Sequence, residues 1–251
     1  MRDGLIGAAL EAPPPLDIAR MAVFADLDGT LAKIRPRPDD VGPDPHRDEI
    51  LGGLAGKLGG ALAIVSGRSL EDLDRILGGR VPAIAAVHGL VRRRADRQLV
   101  EAVSAPVSKA VLDALKAFQA QRPGLLIEDK GPSVALHFRA APGAAAACEA
   151  LARRLAQEAG LVVQAGDMVV ELRAPGPTKG EAVEAFMQEP PFAGRTPIFI
   201  GDDLTDENGF IGAERLGGFG VIVGSRRPTR ARFALKDVEA ALEWLSAAAL
   251  A

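Results

Sequence analysis

The sequence predicts an α/β fold, and three observations carry the prediction. Short apolar runs alternate with longer stretches of helical spacing, each of five such runs stops at a polar or glycine residue, and the rhythm changes between about residues 105 and 175. The runs are 21–25, stopping at Asp26; 61–65, at Ser66; 83–87, at His88; 197–200, at Gly201; and 221–223, near Gly224. Brief uninterrupted apolar runs suit parallel strands, which are covered on both faces and need no polar side. In open parallel sheets ligands bind beyond the carboxyl ends of the strands, so the polar residues at these ends are predicted to converge on one cleft.

The middle stretch reads as a helix near 107–121, strands near 125–129 and 133–139, a helix near 143–160, and strands near 161–164 and 168–173. Helix, strand, strand, helix, strand, strand is the order of a compact α+β unit. It is predicted as an insertion, residues 105–173, in a discontinuous core of residues 1–104 and 174–251. Ala174-Pro175-Gly176-Pro177 marks its exit, because that stretch continues neither a strand nor a helix, and Ser104-Ala105-Pro106 marks its entrance. No internal repeat of fixed period is present, and the alanine runs at 144–147 and 247–249 favour helix.

Composition narrows the function classes. A chain of 251 residues is long enough to bury a core without a disulfide scaffold. The single cysteine, Cys148, lies in an alanine-rich helical stretch and reads as a small buried residue in a reducing cytoplasm. A net charge of -3 and 4% aromatic residues give no general attraction to nucleic acid or acidic membrane, and the short basic run Arg92-Arg93-Arg94 has no recognition motif beside it. Residues 1–20 carry acids and Pro13-Pro14-Pro15 where a leader would have a basic start and an apolar run. No later segment reaches the about 18 apolar residues of a membrane span, so neither export nor membrane insertion is expected. An anionic substrate must then be met by locally placed cations.

The strongest chemical signal is Asp26-Leu27-Asp28-Gly29-Thr30-Leu31, directly after an apolar strand. The first carboxylate can attack phosphorus, the second can donate a proton to the leaving oxygen, Gly29 permits a sharp turn, and Thr30 offers a hydroxyl to a phosphate oxygen. An Asp-Gly hairpin is the plain alternative, but the following Lys33-Ile34-Arg35-Pro36-Arg37-Pro38 makes a poor return strand. A second cluster, Gly201-Asp202-Asp203-Leu204-Thr205-Asp206-Glu207, follows another apolar strand. Its acids would repel one another unless solvated or neutralised by a cation. Magnesium, which takes a few carboxylates, waters and the substrate phosphate, would be held by Asp26, the carbonyl of Asp28 and Asp202. The same acids also suit the first turn of a helix capped by Thr205, and the two readings are compatible.

Phosphoryl transfer also needs hydrogen-bond donors and a fixed cation for the charge on the equatorial oxygens. Ser66 and Lys179 are the candidates. Ser66 could be a helix cap, yet Ser69, three residues before Asp72, is the better one. Lys179 opens a predicted helix, where a cation opposes the helix dipole, so a phosphate-facing role explains it better than an ordinary surface role.

These residues resemble the haloacid dehalogenase-like phosphatase superfamily, whose four motifs have counterparts in Asp26-Leu27-Asp28-Gly29-Thr30, Ser66, Lys179 and Gly201-Asp202-Asp203. A closer resemblance is to trehalose-6-phosphate phosphatases, through Ser66-Gly67-Arg68, His88-Gly89, Ile127-Glu128-Asp129-Lys130, Leu136-His137-Phe138-Arg139, Val170-Glu171-Leu172-Arg173 and the segment from Gly201 to Glu207. The resemblance implies a Rossmann-like core with a largely parallel sheet and a mobile α/β cap inserted after the third core strand. It implies that the core does the chemistry while Glu128, Lys130 and Glu171 of the cap hold sugar hydroxyls. By spacing alone Glu128 and Lys130 share one strand face, as a solvated face also would. His137 and Arg139 also share a face and stand as second candidates. Leu27 occupies a position where an aromatic is common in the family, and the loop from Leu90 to Arg94 is more basic than the family pattern, which leaves open the arginine that meets substrate.

The function implied is magnesium-dependent hydrolysis of trehalose 6-phosphate, a small-molecule substrate, through an aspartyl-phosphate on Asp26, with Asp28 as acid and then base. Sucrose 6-phosphate or glucosylglycerol phosphate would be alternative substrates of the same core. A catalytically silent sugar-phosphate sensor is a rival of another class, but such a domain should have lost Asp26, Asp28 or Asp202.

Overall fold

In the computed structural model, which describes residues 10–102 and 105–250, the main sheet begins with β1 (Met21–Ala25), α1 (Pro45–Lys57), β2 (Leu62–Val65), α2 (Leu70–Leu77) and β3 (Ala83–Ala86). Two short strands, β4 (Val91–Arg93) and β5 (Leu99–Glu101), lead to α3 (Lys109–Ala120), β6 (Leu126–Asp129), β7 (Ser133–His137), α4 (Ala145–Ala159), β8 (Val162–Gly166) and β9 (Val169–Arg173). The chain returns through α5 (Lys179–Phe186), β10 (Thr196–Gly201), α6 (Glu207–Arg215), β11 (Phe219–Val223), β12 (Phe233–Leu235) and α7 (Val238–Leu250). Ser104, the first residue of the expected entrance to the inserted unit, lies outside the described residues, as do residues 1–9 of the N-terminal segment.

The main sheet has the order β12-β11-β10-β1-β2-β3-β4-β5, parallel from β12 to β3 and antiparallel thereafter. The chain lays β2 and β3 on one side of β1 and returns to lay β10 and β11 on the other. The strand order therefore reverses between β1 and β10, and a crevice opens beyond their carboxyl ends. β2 and β3 are buried at every position, as uninterrupted apolar runs require. Behind β1, Phe24 packs on Phe186 and Phe192 with ring centroids 6.0 and 5.3 Å away, and burial of each such ring is worth roughly 1.5–3 kcal/mol. Ser69 caps α2 as the sequence predicts, accepting from the amide of Asp72 at 3.1 Å.

The strands β4, β5 and β12 were not expected. Each is three residues long, and none is buried along its length, so no apolar run betrays it. Two consequences correct the expectations above. The chain enters the inserted unit after β5 rather than directly after β3, and Arg92 and Arg93 lie on a strand rather than in a loop.

The second sheet has the order β6-β7-β9-β8 and is antiparallel throughout. Val134, Leu136, Val170 and Leu172 point from it into a separate apolar cluster with Leu115, Cys148, Ala152 and Leu155 of α3 and α4. Strand alternation sends their neighbours to the other face. Register places Glu128, Ala135, Glu171 and Gln164 in one row across the four strands, so that row faces away from the helices. No described helix is long and apolar enough to cross a membrane.

Candidate active site

Asp26 follows β1, its amide bonded to the carbonyl of Ile200 at 2.9 Å, so parallel pairing of β1 with β10 sets Asp26 beside the Gly201-Asp202 corner. The chain then turns tightly: Leu27 O accepts from the amides of Leu31 and Ala32, each at 2.8 Å. Gly29 sits in this turn at φ 77°, and a Cβ there would collide with the Asp202 carboxylate. The two acidic turns can approach only because this position has no side chain. Thr30 is fully buried and donates its hydroxyl to Asp202 Oδ1 at 3.1 Å. It does not line the cleft, so it orients Asp202 where the sequence suggested a contact with phosphate.

Lys179, the first residue of α5, is buried with its Nζ 2.7 Å from Asp206 Oδ1 and 3.1 Å from Asp26 Oδ1. Burial opposes its charge, but Asp206 and Asp26 hold the ammonium well above the ordinary lysine range. Asp206 was not singled out from its acidic segment as a site residue. Its Oδ2 accepts from the amides of both Asp202 and Asp203 at 2.9 Å, while a short 3-10 turn (Leu204–Asp206) carries it. Asp203 caps this turn, so Thr205 is not the cap suggested by the sequence.

Carboxylate oxygens of Asp26, Asp202 and Asp206 lie within 4.8 Å of one another. Burial, with mutual repulsion behind it, pushes the carboxyls of Asp26 and Asp202 far above the usual range. Asp26 Oδ1 is buried without a hydrogen-bond donor, since Lys179 approaches it off the bonding direction. A divalent cation fits this set, because hard oxygen donors are crowded together and one of them lacks a partner. The three carboxylates are not equivalent. Asp206 already accepts three hydrogen bonds, which leaves Asp26 and Asp202 as the oxygens able to take a cation.

Asp28 faces away from this cluster. Arg68 bonds to both of its carboxylate oxygens and also to Asp72 and to the carbonyl of Pro38. Ser66, at the end of β2, is buried and lines the cleft together with Asp26, Asp28 and Lys179. Arg68 lies within a sequence motif already noted, yet nothing in the motif told which acid it would meet.

Across an open cleft stands the polar face of the second sheet. Lys130 lies just past the end of β6, with Nζ 3.0 Å from Glu171 Oε2 and 3.8 Å from Glu128 Oε2. Burial disfavours each of these charges, but the opposing ones prevail: Lys130 is held above its ordinary range, Glu128 below it, and Glu171 well below it. His137 bonds to Glu128 at 2.9 Å, and Arg139 reaches Asp167 at 2.7 Å. The tip of the β8–β9 hairpin comes over the core, since a Cβ on Gly166 would lie 3.3 Å from Asp203.

The basic run is not at the cleft. Arg92 and Arg94 pair with Glu189, and Arg93 with Asp74, so all three are neutralised on the core. The arginines that line the cleft are Arg35, Arg37, Arg68 and Arg139.

A largely parallel sheet with these acids, Ser66 and Lys179 at its carboxyl edge, faced by a second α/β unit, is a haloacid dehalogenase-like fold. A phosphatase of the haloalkanoate (HAD) enzyme superfamily from Bacteroides thetaiotaomicron superposes with a TM-score of 0.59 over 97% of each chain at 12% identity. The C-terminal domain of Candida albicans trehalose-6-phosphate phosphatase superposes at 0.82, covering 97% of this chain and 99% of that one at 23% identity. The trehalose-phosphatase family model matches residues 24–239. The trehalose-6-phosphate phosphatase of Escherichia coli (strain K12) is 43% identical over 90% of this chain and 86% of its own length. The chain belongs to the trehalose-phosphatase family and is a phosphatase.

Proposed function

We propose that the protein hydrolyses trehalose 6-phosphate to trehalose and inorganic phosphate through an aspartyl-phosphate on Asp26. One observation carries this reading. A single cleft has Asp26, Ser66 and Lys179 at one end and the Glu128, Lys130 and Glu171 group at the other, which suits a substrate with a phosphate at one end and sugar hydroxyls beyond it. The 43% identity to the Escherichia coli enzyme supports the particular sugar.

Asp26 attacks phosphorus as the bond to the sugar oxygen breaks, and Asp28 protonates that oxygen as it leaves. Asp28 then takes a proton from water, which attacks the phosphorus of the acyl phosphate, releasing inorganic phosphate and restoring Asp26. Lys179 donates one hydrogen bond to Asp206 and pairs with Asp26 by charge at 3.1 Å, so its remaining donors, with the Ser66 hydroxyl, are available to the phosphate oxygens. The carboxylates of Asp26 and Asp202 and the main-chain carbonyl of Asp28 would hold magnesium, which when bound offsets repulsion between the phosphate and these acids. Thr30 and Asp206 keep Asp202 and Lys179 in place. Glu128, Lys130 and Glu171 receive sugar hydroxyls, and closure of the second unit excludes water until the sugar has left. The single buried thiol, Cys148, suits a cytoplasmic location.

The test is phosphate release from trehalose 6-phosphate, sucrose 6-phosphate and glucose 6-phosphate, with magnesium and with chelator, alongside Asp26→Asn. Release from trehalose 6-phosphate alone, lost with chelator and in the variant, is the expected result. Equal release from all three would remove the substrate assignment.

A further inference from the structure

His88 takes no part in the chemistry just described, yet it is held in place by unusual means. It follows β3 in a turn where Val87, His88 and Gly89 all have left-handed backbone, with φ of 47°, 58° and 110°. A β-branched residue rarely adopts that conformation, and strain of this kind persists only where the surroundings enforce it. Here the enforcing bonds run to the phosphate end of the cleft: the amide of His88 to Ser66 O and that of Val87 to Arg68 O, both at 2.9 Å. The imidazole lies against Gly67, where a Cβ would come within 2.6 Å of the ring. The turn and that glycine together aim the ring across the cleft. Its Nε2 is 3.4 Å from Glu171 Oε2, the oxygen that also takes Lys130.

We infer that His88 is a positioning residue for sugar recognition: as the core's contact on Glu171, it orients the Glu171–Lys130 pair and completes the sugar subsite only when the second unit closes on the core. The inference rests on the sugar-binding role given above to Glu171 and deepens it. His88 is 7% exposed, and burial pushes its pKa down, so the imidazole is neutral and its proton belongs on Nε2, where Glu171 accepts it. Nδ1 has no hydrogen-bond partner. At 3.4 Å the bond is at the long end of the range, and it shortens when sugar draws the two halves together. His137 does the same for Glu128, but from within the second sheet, so among the described side-chain bonds to these two acids only that of His88 comes from the core.

The experiment measures the ratio of kcat/KM for a sugar phosphate to that for p-nitrophenyl phosphate, which has no sugar. The sugar phosphate is whichever of trehalose, sucrose or glucose 6-phosphate the wild type hydrolyses best, so the ratio can be read even if trehalose 6-phosphate is not preferred. His88→Asn tolerates the left-handed backbone but cannot reach Glu171. It lowers the ratio by about tenfold or more through KM, the loss expected for a hydrogen bond to a charged group. His88→Gln, whose amide can reach, recovers most of it. Added to Glu171→Gln, His88→Asn changes the ratio by less than about threefold, because residues acting through one contact are not additive. An unchanged ratio in His88→Asn, or full additivity with Glu171→Gln, overturns the inference. Nitrogen NMR of the wild-type imidazole needs no substrate: protonation at Nε2 is expected, and protonation at Nδ1 alone overturns it.

Discussion

Arg68 grips both carboxylate oxygens of Asp28, its Nε at 2.6 Å and an Nη at 2.8 Å. The grip is itself anchored, since the guanidinium also meets Asp72 and the Pro38 carbonyl, and Asp72 is held by Arg75. A carboxylate bound in this bidentate way has one orientation in the cleft, which suits the acid and base role proposed for Asp28. Replacing Arg68 with alanine is expected to lower kcat by about 10- to 100-fold on sugar phosphate and p-nitrophenyl phosphate alike, because the fault lies in the chemistry and not in the sugar subsite. Arg68→Lys should restore little, since an ammonium cannot reproduce the planar fork. Steady-state kinetics on both substrates check this, and a loss confined to KM for the sugar phosphate would contradict it.

Asp26→Asn should abolish turnover while raising the stability of the metal-free protein. The side chain keeps its shape, loses its nucleophilic charge, and relieves the repulsion that Asp202 and Asp206 impose in the buried cluster. Thermal melting in chelator is expected to rise by a few degrees. A melting temperature below wild type would show that the Lys179 contact outweighs the repulsion.

Metal dependence of stability should grow with pH. Burial first, then neighbouring acids, raises the carboxyl of Asp26 from 3.8 to about 7 and that of Asp202 from 3.8 to about 9. Groups whose folded pKa is raised contribute stability that is fully present below 3.8 and is lost as pH climbs through the folded values. The metal-free protein should therefore melt lower at pH 9 than at pH 5, and magnesium, which favours the ionised acids, should raise the melting temperature more at the higher pH. A magnesium effect of equal size at both pH values would argue that these acids do not hold the ion.

Asp206→Ala is expected to damage the fold as well as the activity. Asp206 is fully buried, bonded to Lys179 and to two backbone amides, so its loss strands a buried ammonium and two donors. Breaking a buried pair from one side typically costs about 3–5 kcal/mol. Urea unfolding checks the size. A cost near zero would mean that water or Asp26 takes over the lysine.

Most of the candidate site was legible in the sequence, because its residues are marked locally. Asp26, Ser66 and Gly201 each terminate an apolar strand, and parallel pairing of β1 with β2 and β10 brings strand ends together whatever the remaining details. Lys179 was legible as a cation placed against a helix dipole. Strands of three residues left no such mark, so β4, β5 and β12 were not anticipated and the basic run of residues 92–94 was placed in a loop.

What the sequence determined alone is the alternation of the core, the acids that end its strands and the polar face of the second sheet, all of which follow from periodicity and from residue types a few positions apart. Tertiary structure alone decided the partners: Arg68 with Asp28, Arg93 with Asp74, Arg92 with Glu189, and His88 with Glu171. It also turned Thr30 onto Asp202 and set Asp206 beneath Lys179. A charged side chain carries no address for its counter-ion. Which acid it meets depends on where packing of the strands and helices sets the two backbones, and that is a property of the whole fold.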